Sequence, residues 1–112
     1  MKITEKQLRA AYVMLASSPP FDKWHMPDEY RIRFKVNKMT MSKGLFNVDP
    51  LMITISSQAH TGLIDVLETV AHEMVHLHGE RTGNGGHEDH NEAFKDAAFE
   101  VCKVWGFDPT NF

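Results

Sequence analysis

The sequence predicts a small α+β fold with an N-terminal helix, a three-stranded, mainly antiparallel sheet and two further helices. Apolar residues recur at helical spacing near the N-terminus and in the last half of the chain, and they alternate with polar residues in between. Glycine and proline residues separate these segments. The chain has 112 residues, which is enough for one domain with its own core, so a single domain spanning residues 1–112 is expected.

The first predicted helix begins at a capping box formed by Thr4 and Gln7. Apolar residues three and four apart follow, and the serine and proline residues at positions 17–20 end the helix. Residues 21–29 then form a connecting loop. This pattern is typical of a short amphipathic helix that packs one face on the core.

Three short strands are predicted in the middle of the chain. The first begins at Tyr30, where apolar and basic residues alternate. Gly44 opens the second strand, and Asp49 and Pro50 form a turn before the third. The apolar residues of these strands are Ile32, Phe34, Val36, Leu45, Phe46, Val48, Leu51, Ile53 and Ile55.

Two helices are predicted after the sheet, with a glycine-rich loop between them. The first covers about residues 61–78 and is closed by Gly79. The second covers about residues 90–105 and is closed by Gly106.

The first of these two helices contains the pattern HExxH as His72, Glu73 and His76. Histidines four residues apart project from one side of a helix, one turn above each other, so both imidazoles can reach one metal ion. Glu73 lies beside them and can reach a water bound to that ion. On a helical wheel these residues share the polar face, which leaves the apolar face to pack on the sheet. The pattern predicts a catalytic site with one Zn²⁺ per chain.

A third protein ligand is expected, because catalytic zinc sites usually have three and leave the fourth position to water. Thr82 stands where the metzincin pattern requires a histidine, which argues against that family. Glu92 falls on the side of the last helix away from its apolar face, whereas His90 leads the face that packs inward. His90 is therefore preferred as the third ligand. His87, in the glycine-rich loop, stays open as an alternative because a loop residue can turn into a site.

The chain resembles the SprT-like zinc metalloprotease domain, a minimal zincin core that also occurs in the Spartan proteases that degrade protein crosslinked to DNA. The resemblance rests on HEMVH, on the spacer GNGGHED, on HNEAF and on GLFNVDPLMITISS, and it extends over about residues 30–106. It implies that His72, His76 and His90 bind zinc and that Glu73 is the general base.

The expected function is hydrolysis of a peptide bond in a protein or peptide substrate by a metal-activated water. His87, Arg81 and Tyr30 are the candidate donors to the oxyanion, and the sequence does not select among them. Two alternatives remain open. One is a metal-dependent nuclease, although small nucleases with a related histidine pattern have glycine in place of Glu73. The other is a non-catalytic, zinc-stabilised binding module.

Composition predicts a cytoplasmic protein. Cys102 is the single cysteine, so no internal disulfide can form, which is typical of a reducing compartment. No segment is long and apolar enough to cross a bilayer, and no membrane partner is expected. The net charge of −3 gives no general attraction to nucleic acid, although basic residues cluster between Lys23 and Lys43 and give weak support for such a partner. The sequence does not indicate an oligomeric state.

Overall fold

A computed structural model describes residues 2–84 and 90–112, and in these ranges it contains three α-helices and three strands. The helices are α1 (Glu5–Ala16), α2 (Leu63–Arg81) and α3 (Glu92–Trp105), and the strands are β1 (Arg33–Asn37), β2 (Gly44–Asn47) and β3 (Met52–Ser56). The predicted α+β class is confirmed. None of the helices in the described ranges has both the length and the apolar composition needed to cross a membrane.

The sheet is mixed rather than mainly antiparallel. β3 is the central strand, pairing in parallel with β1 and antiparallel with β2. Ile53 lies beside Phe34 in the first pair and beside Phe46 in the second. After β1 the chain crosses to the far edge of the sheet and forms β2, which runs in the opposite direction. The turn after β2 then brings β3 back between β1 and β2, so β3 runs in the same direction as β1. Alternation of side chains predicts strands but does not specify which strands are neighbours.

Two helices, α1 and α2, pack on the face of the sheet that carries Ile53 and Ile55, and α3 packs on α2. α1 contacts β1, while α2 contacts both β2 and β3. The opposite side of the central strand is also buried, since Thr54 and Ser56 are at most 4% exposed. The Ser56 hydroxyl donates to the Met39 carbonyl at 2.6 Å, which ties the loop after β1 to the central strand. The sheet therefore gives α2 a firmly packed surface.

The predicted end of α2 at Gly79 is wrong, because the helix continues through Gly79 to Arg81 and has Thr82 as its C-cap. Gly83 has a φ of 73° and takes the left-handed position just beyond the cap. The N–H of Asn84 donates to the carbonyl of Gly79 at 2.9 Å, and that of Gly83 donates to the carbonyl of Glu80 at 3.3 Å. This is a Schellman motif, and its hydrogen bonds satisfy carbonyl groups of the last helical turn. The glycine that closes the helix is Gly83, four residues after the predicted Gly79.

The last helix begins two residues later than predicted. Asn91 is its N-cap, and the side chain of Asn91 accepts a hydrogen bond from the N–H of Phe94 at 2.9 Å. His90 therefore precedes the helix instead of opening it. Gly106 ends the helix in the left-handed conformation with a φ of 78°, as predicted.

The two glycines near the end of α2 should respond in opposite ways to substitution by alanine. Gly79→Ala should raise the free energy of unfolding by roughly 0.5–1 kcal/mol, because alanine is the better helix former and no atom of the described residues lies within 4 Å of the added methyl. Gly83→Ala should lower it by about 1 kcal/mol, because an L-residue is strained at positive φ. Urea denaturation of the metal-free variants measures both changes. A loss of stability in Gly79→Ala would contradict the observed helix end.

Candidate metal centre

Three histidines converge between the middle of α2 and the segment that precedes α3. The Nε2 atoms of His72 and His76 lie 3.2 Å apart, and those of His76 and His90 also lie 3.2 Å apart. Among the described residues this is the group that could hold a metal, with all three ligand atoms within 4.8 Å of one another. Ligand atoms about 2.1 Å from a tetrahedral zinc are roughly 3.4 Å apart, so these separations suit coordination of one ion.

Phe94 packs against all three imidazoles. Its ring stacks on His90 at 4.3 Å and on His76 at 4.5 Å between centroids, and it meets the edge of His72 at 5.2 Å. Phe94 belongs to the first turn of α3, where the cap by Asn91 holds its N–H. The start of α3 thus places both His90 and the aromatic ring on which the histidines rest.

The ring of His72 is held in a form that can bind a metal. Burial lowers the pKa of His72 to about 4, and proximity to His90 acts in the same direction. At neutral pH the ring is therefore uncharged and keeps a lone pair for a cation. A hydrogen bond to the backbone of Phe112 acts in the opposite direction on this pKa. Because Nε2 faces His76, Nδ1 is the nitrogen left for Phe112, an arrangement that also orients metal-binding histidines elsewhere.

Phe112 is a residue of the site that the sequence did not reveal. Its ring lies 5.2 Å from that of His72 and 6.0 Å from that of Phe107. The turn before it is ordered by Asp108, whose carboxylate accepts hydrogen bonds from the N–H and the hydroxyl of Thr110. No periodicity or motif marks such a position, because only the tertiary fold brings it to α2.

Glu73 is 5% exposed and lines a cavity of about 170 Å³ together with His72, Thr69 and Gly44. A Cβ atom on Gly44 would lie 3.0 Å from Oε2 of Glu73 and 2.8 Å from Cγ2 of Thr69. The start of β2 therefore approaches α2 as closely as glycine allows. The carboxylate of Glu73 thus lines the same cavity as the imidazole of His72, and this cavity has room for several waters.

Other residues singled out by the sequence lie elsewhere. Glu92 is in the first turn of α3, where its side chain is 87% exposed and lies 3.8 Å from Lys95. Arg81 donates to the backbone carbonyl of His25, and Tyr30 is 78% exposed. Neither Arg81 nor Tyr30 lines the cavity that contains Glu73. His87 lies outside the described residues, so its predicted role as an alternative ligand or oxyanion donor stays a prediction.

The model of the SprT-like family matches residues 15–111. The chain belongs to the SprT-like family. Comparisons with curated proteins and with solved structures found no match. The matched range of this SprT-like chain includes the whole sheet, α2, α3 and the three histidines. Family membership and the histidine group together support a zincin-like, metal-dependent domain, and the arrangement is compatible with a bound metal ion.

Substitution of His90 should weaken zinc binding more than substitution of its neighbour Glu92. His90→Ala removes one of the three convergent nitrogens, and the affinity should fall by more than about 100-fold, beyond the usual effect of losing a residue that only supports a ligand. Glu92→Ala should leave the affinity unchanged because that side chain points to solvent. Competition with a chromophoric chelator measures the affinity, and mass spectrometry measures the stoichiometry. Full binding by His90→Ala, together with loss of binding in His87→Ala, would reverse the assignment.

Substitution of Gly44 should disturb Glu73 without removing the metal. Gly44→Ala places a methyl group within 3.0 Å of Glu73 and Thr69, so these side chains or β2 must move. We expect metal-dependent activity to fall by roughly 10- to 100-fold, the scale of a displacement of about 1 Å in a reacting group. Zinc affinity should stay within a factor of about 3, because no proposed ligand is touched. The control is Gly62→Ala, where the described part of the chain places no atom within 4 Å of the added methyl. Parental activity in Gly44→Ala would show that this approach does not position Glu73.

Proposed function

We propose that this SprT-like protein is a zinc-dependent metalloprotease that hydrolyses peptide bonds, with Glu73 as the general base. One observation carries the proposal: three imidazole nitrogens converge from two segments, and a buried carboxylate lines the same cavity as one of them. A site with three nitrogen ligands and no thiolate is typical of catalytic zinc. The fourth position of such a site is taken by water or substrate.

In the proposed mechanism, His72, His76 and His90 hold the zinc, which when bound supplies Lewis-acid activation of water and of the scissile carbonyl. Glu73 accepts the proton of the attacking water and delivers it to the amine that leaves. The burial of Glu73 keeps bulk solvent away from this proton transfer. Phe94 and the backbone of Phe112 keep the imidazoles in orientation during turnover.

The position of β2 supports a polypeptide as the substrate. β2 is an edge strand that pairs with β3 on one side, and its first residue, Gly44, borders the cavity of Glu73. An extended peptide can add to such an edge through backbone hydrogen bonds, which place its carbonyl groups at regular spacing. Binding as an added strand recognises the main chain of the substrate more than its side chains, so it suits hydrolysis of varied protein sequences.

The basic residues of β1 give no support to the nuclease alternative. Arg33 and Lys35 are exposed on β1, which forms the opposite edge of the sheet from β2. The only cationic side chain lining the Glu73 cavity within the described residues is Lys43, and it is paired with Asp65 at 3.0 Å. Asp65 and Glu68 line this cavity as well, and such carboxylates repel a phosphate backbone.

Glu73→Gln tests the proposed function. The amide keeps the shape of the side chain but cannot accept the proton, so turnover of casein or a fluorogenic peptide should fall by roughly 10²- to 10⁴-fold. Zinc should stay bound at one ion per chain, because the three histidines are intact. Glu92→Gln serves as the control, since Glu92 is exposed on α3.

Two outcomes would contradict the proposal. If the Glu73→Gln variant cleaves substrate as fast as the parent, Glu73 is not the general base. A zinc-loaded parent that cleaves no protein or peptide would favour the non-catalytic module, and a parent that cleaves nucleic acid in a Glu73-dependent manner would favour the nuclease.

A further inference from the structure

His60 is a buried histidine outside the metal centre, in the segment between β3 and α2. Its ring is 4% exposed and is held at both nitrogens. Nδ1 lies 2.9 Å from the backbone oxygen of Ser56, and Nε2 lies 2.9 Å from Oγ1 of Thr69. A buried imidazole with a partner on each nitrogen has one orientation, and here it joins the end of the central strand to α2.

His60 and the backbone carbonyl of Asp65 both hold the hydroxyl of Thr69 and so its rotamer. The Ser56 carbonyl can only accept, so Nδ1 of His60 donates to it, and in the neutral ring Nε2 accepts from the Thr69 hydroxyl. In the charged ring Nε2 donates to that hydroxyl, which then donates to the carbonyl of Asp65 at 3.2 Å. Oγ1 of Thr69 is held in the same place in both forms. Its methyl group is therefore also held in one direction.

The methyl group of Thr69 and the carboxylate of Glu73 approach the same part of β2. Thr69 precedes Glu73 by one helical turn and is on the same side of α2. Cγ2 of Thr69 and Oε2 of Glu73 approach the same point of β2, lying 2.8 and 3.0 Å from a Cβ atom placed on Gly44. Both side chains line the cavity that also contains His72. The Thr69 methyl and the Glu73 carboxylate thus share the narrow space between α2 and the start of β2.

We propose that His60 is a positioning residue for Glu73 and acts through Thr69. The imidazole holds the Thr69 hydroxyl, the Thr69 methyl fills the space between α2 and β2, and the Glu73 carboxylate is confined to the part of the cavity beside His72. This inference rests on the proposed function, since it assigns His60 to the placement of the general base. Within the described residues, His60 bonds Ser56 and Thr69 and does not line the cavity that contains His72 and Glu73.

The amides Gln and Asn separate the two hydrogen bonds of His60. In His60→Gln the amide reaches the position of Nε2 and keeps the contact with Thr69, whereas in His60→Asn it reaches the position of Nδ1 and keeps the contact with Ser56. We expect His60→Asn to lose roughly 10- to 100-fold in kcat, with KM and zinc affinity near those of the parent. His60→Gln should stay within a factor of about 3 of the parent. Equal losses of kcat in the two variants, or a larger loss in His60→Gln, would show that His60 only holds the segment between β3 and α2 against β3.

A double-mutant cycle tests whether His60 acts through Thr69. Thr69→Val keeps the shape of the side chain but removes the hydroxyl that His60 holds. In the Thr69→Val background, His60→Asn should cause no further loss of kcat, because the connection is already broken. Additive losses would show that His60 affects the reaction by a route that does not include Thr69, which overturns the proposal.

A readout without turnover distinguishes failure of this inference from failure of the proposed function. In ¹⁵N-labelled, zinc-loaded protein, the Gly44 amide cross-peak should move in His60→Asn and Thr69→Val and stay near its parental position in His60→Gln. This pattern in a parent that cleaves no peptide would support the positioning role while the proposed function fails. A Gly44 signal that is unchanged in His60→Asn and Thr69→Val would overturn the positioning role whether or not the parent is active.

Discussion

The packing of α2 against β2 and β3 is the constraint on which the metal centre depends. Apolar residues such as Val70, Met74 and Leu77 are fully buried, so they determine the rotation of the helix about its axis. His76 and Glu73 project from the same helix and are buried beside this core. Their directions therefore follow from the rotation of α2, and the close approach of β2 at Gly44 sets how much room the carboxylate has. Any change that rotates α2 about its axis therefore moves His76 and Glu73 together.

The centre also requires a segment that is distant in the sequence. His90 comes from the residues before α3, and its approach to His76 is stabilised by the ring of Phe94. Aromatic rings around the imidazoles lower the local polarity, which keeps a ring such as His72 uncharged at neutral pH. An uncharged, oriented imidazole is what a divalent cation requires, so the same packing that stabilises the fold prepares the histidines for a metal.

A series of buried polar side chains leads from the sheet toward the candidate metal centre. Ser56, His60, Thr69 and Glu73 are each at most 7% exposed; hydrogen bonds join the first three, and Glu73 follows Thr69 by one turn of α2. Within the described part of the chain, every buried side-chain nitrogen and oxygen has a hydrogen-bond partner. A satisfied network in a low-dielectric interior is rigid, because each lost contact would leave a desolvated polar group. Placement of the Glu73 carboxylate is thus a property of the core and not of a surface loop.

The sequence by itself determined features that depend on neighbouring residues. The capping box of Thr4, the helical spacing of the HExxH histidines, the alternation in β1 and the left-handed Gly106 are all local, and each is present in the structure. Tertiary structure alone decided the parallel pairing of β1 with β3 and the position of Phe112 beside α2. These features depend on contacts between segments far apart in the chain, and a contact of that kind leaves no period or spacing in the sequence. The end of α2 is local, since the N–H groups of Gly83 and Asn84 bond carbonyls of the last turn, but glycines at both 79 and 83 left the choice between two helix ends open. His90 depends on both levels. The sequence identified it as the preferred third ligand, but its position before α3 follows from the cap at Asn91 and from packing on Phe94.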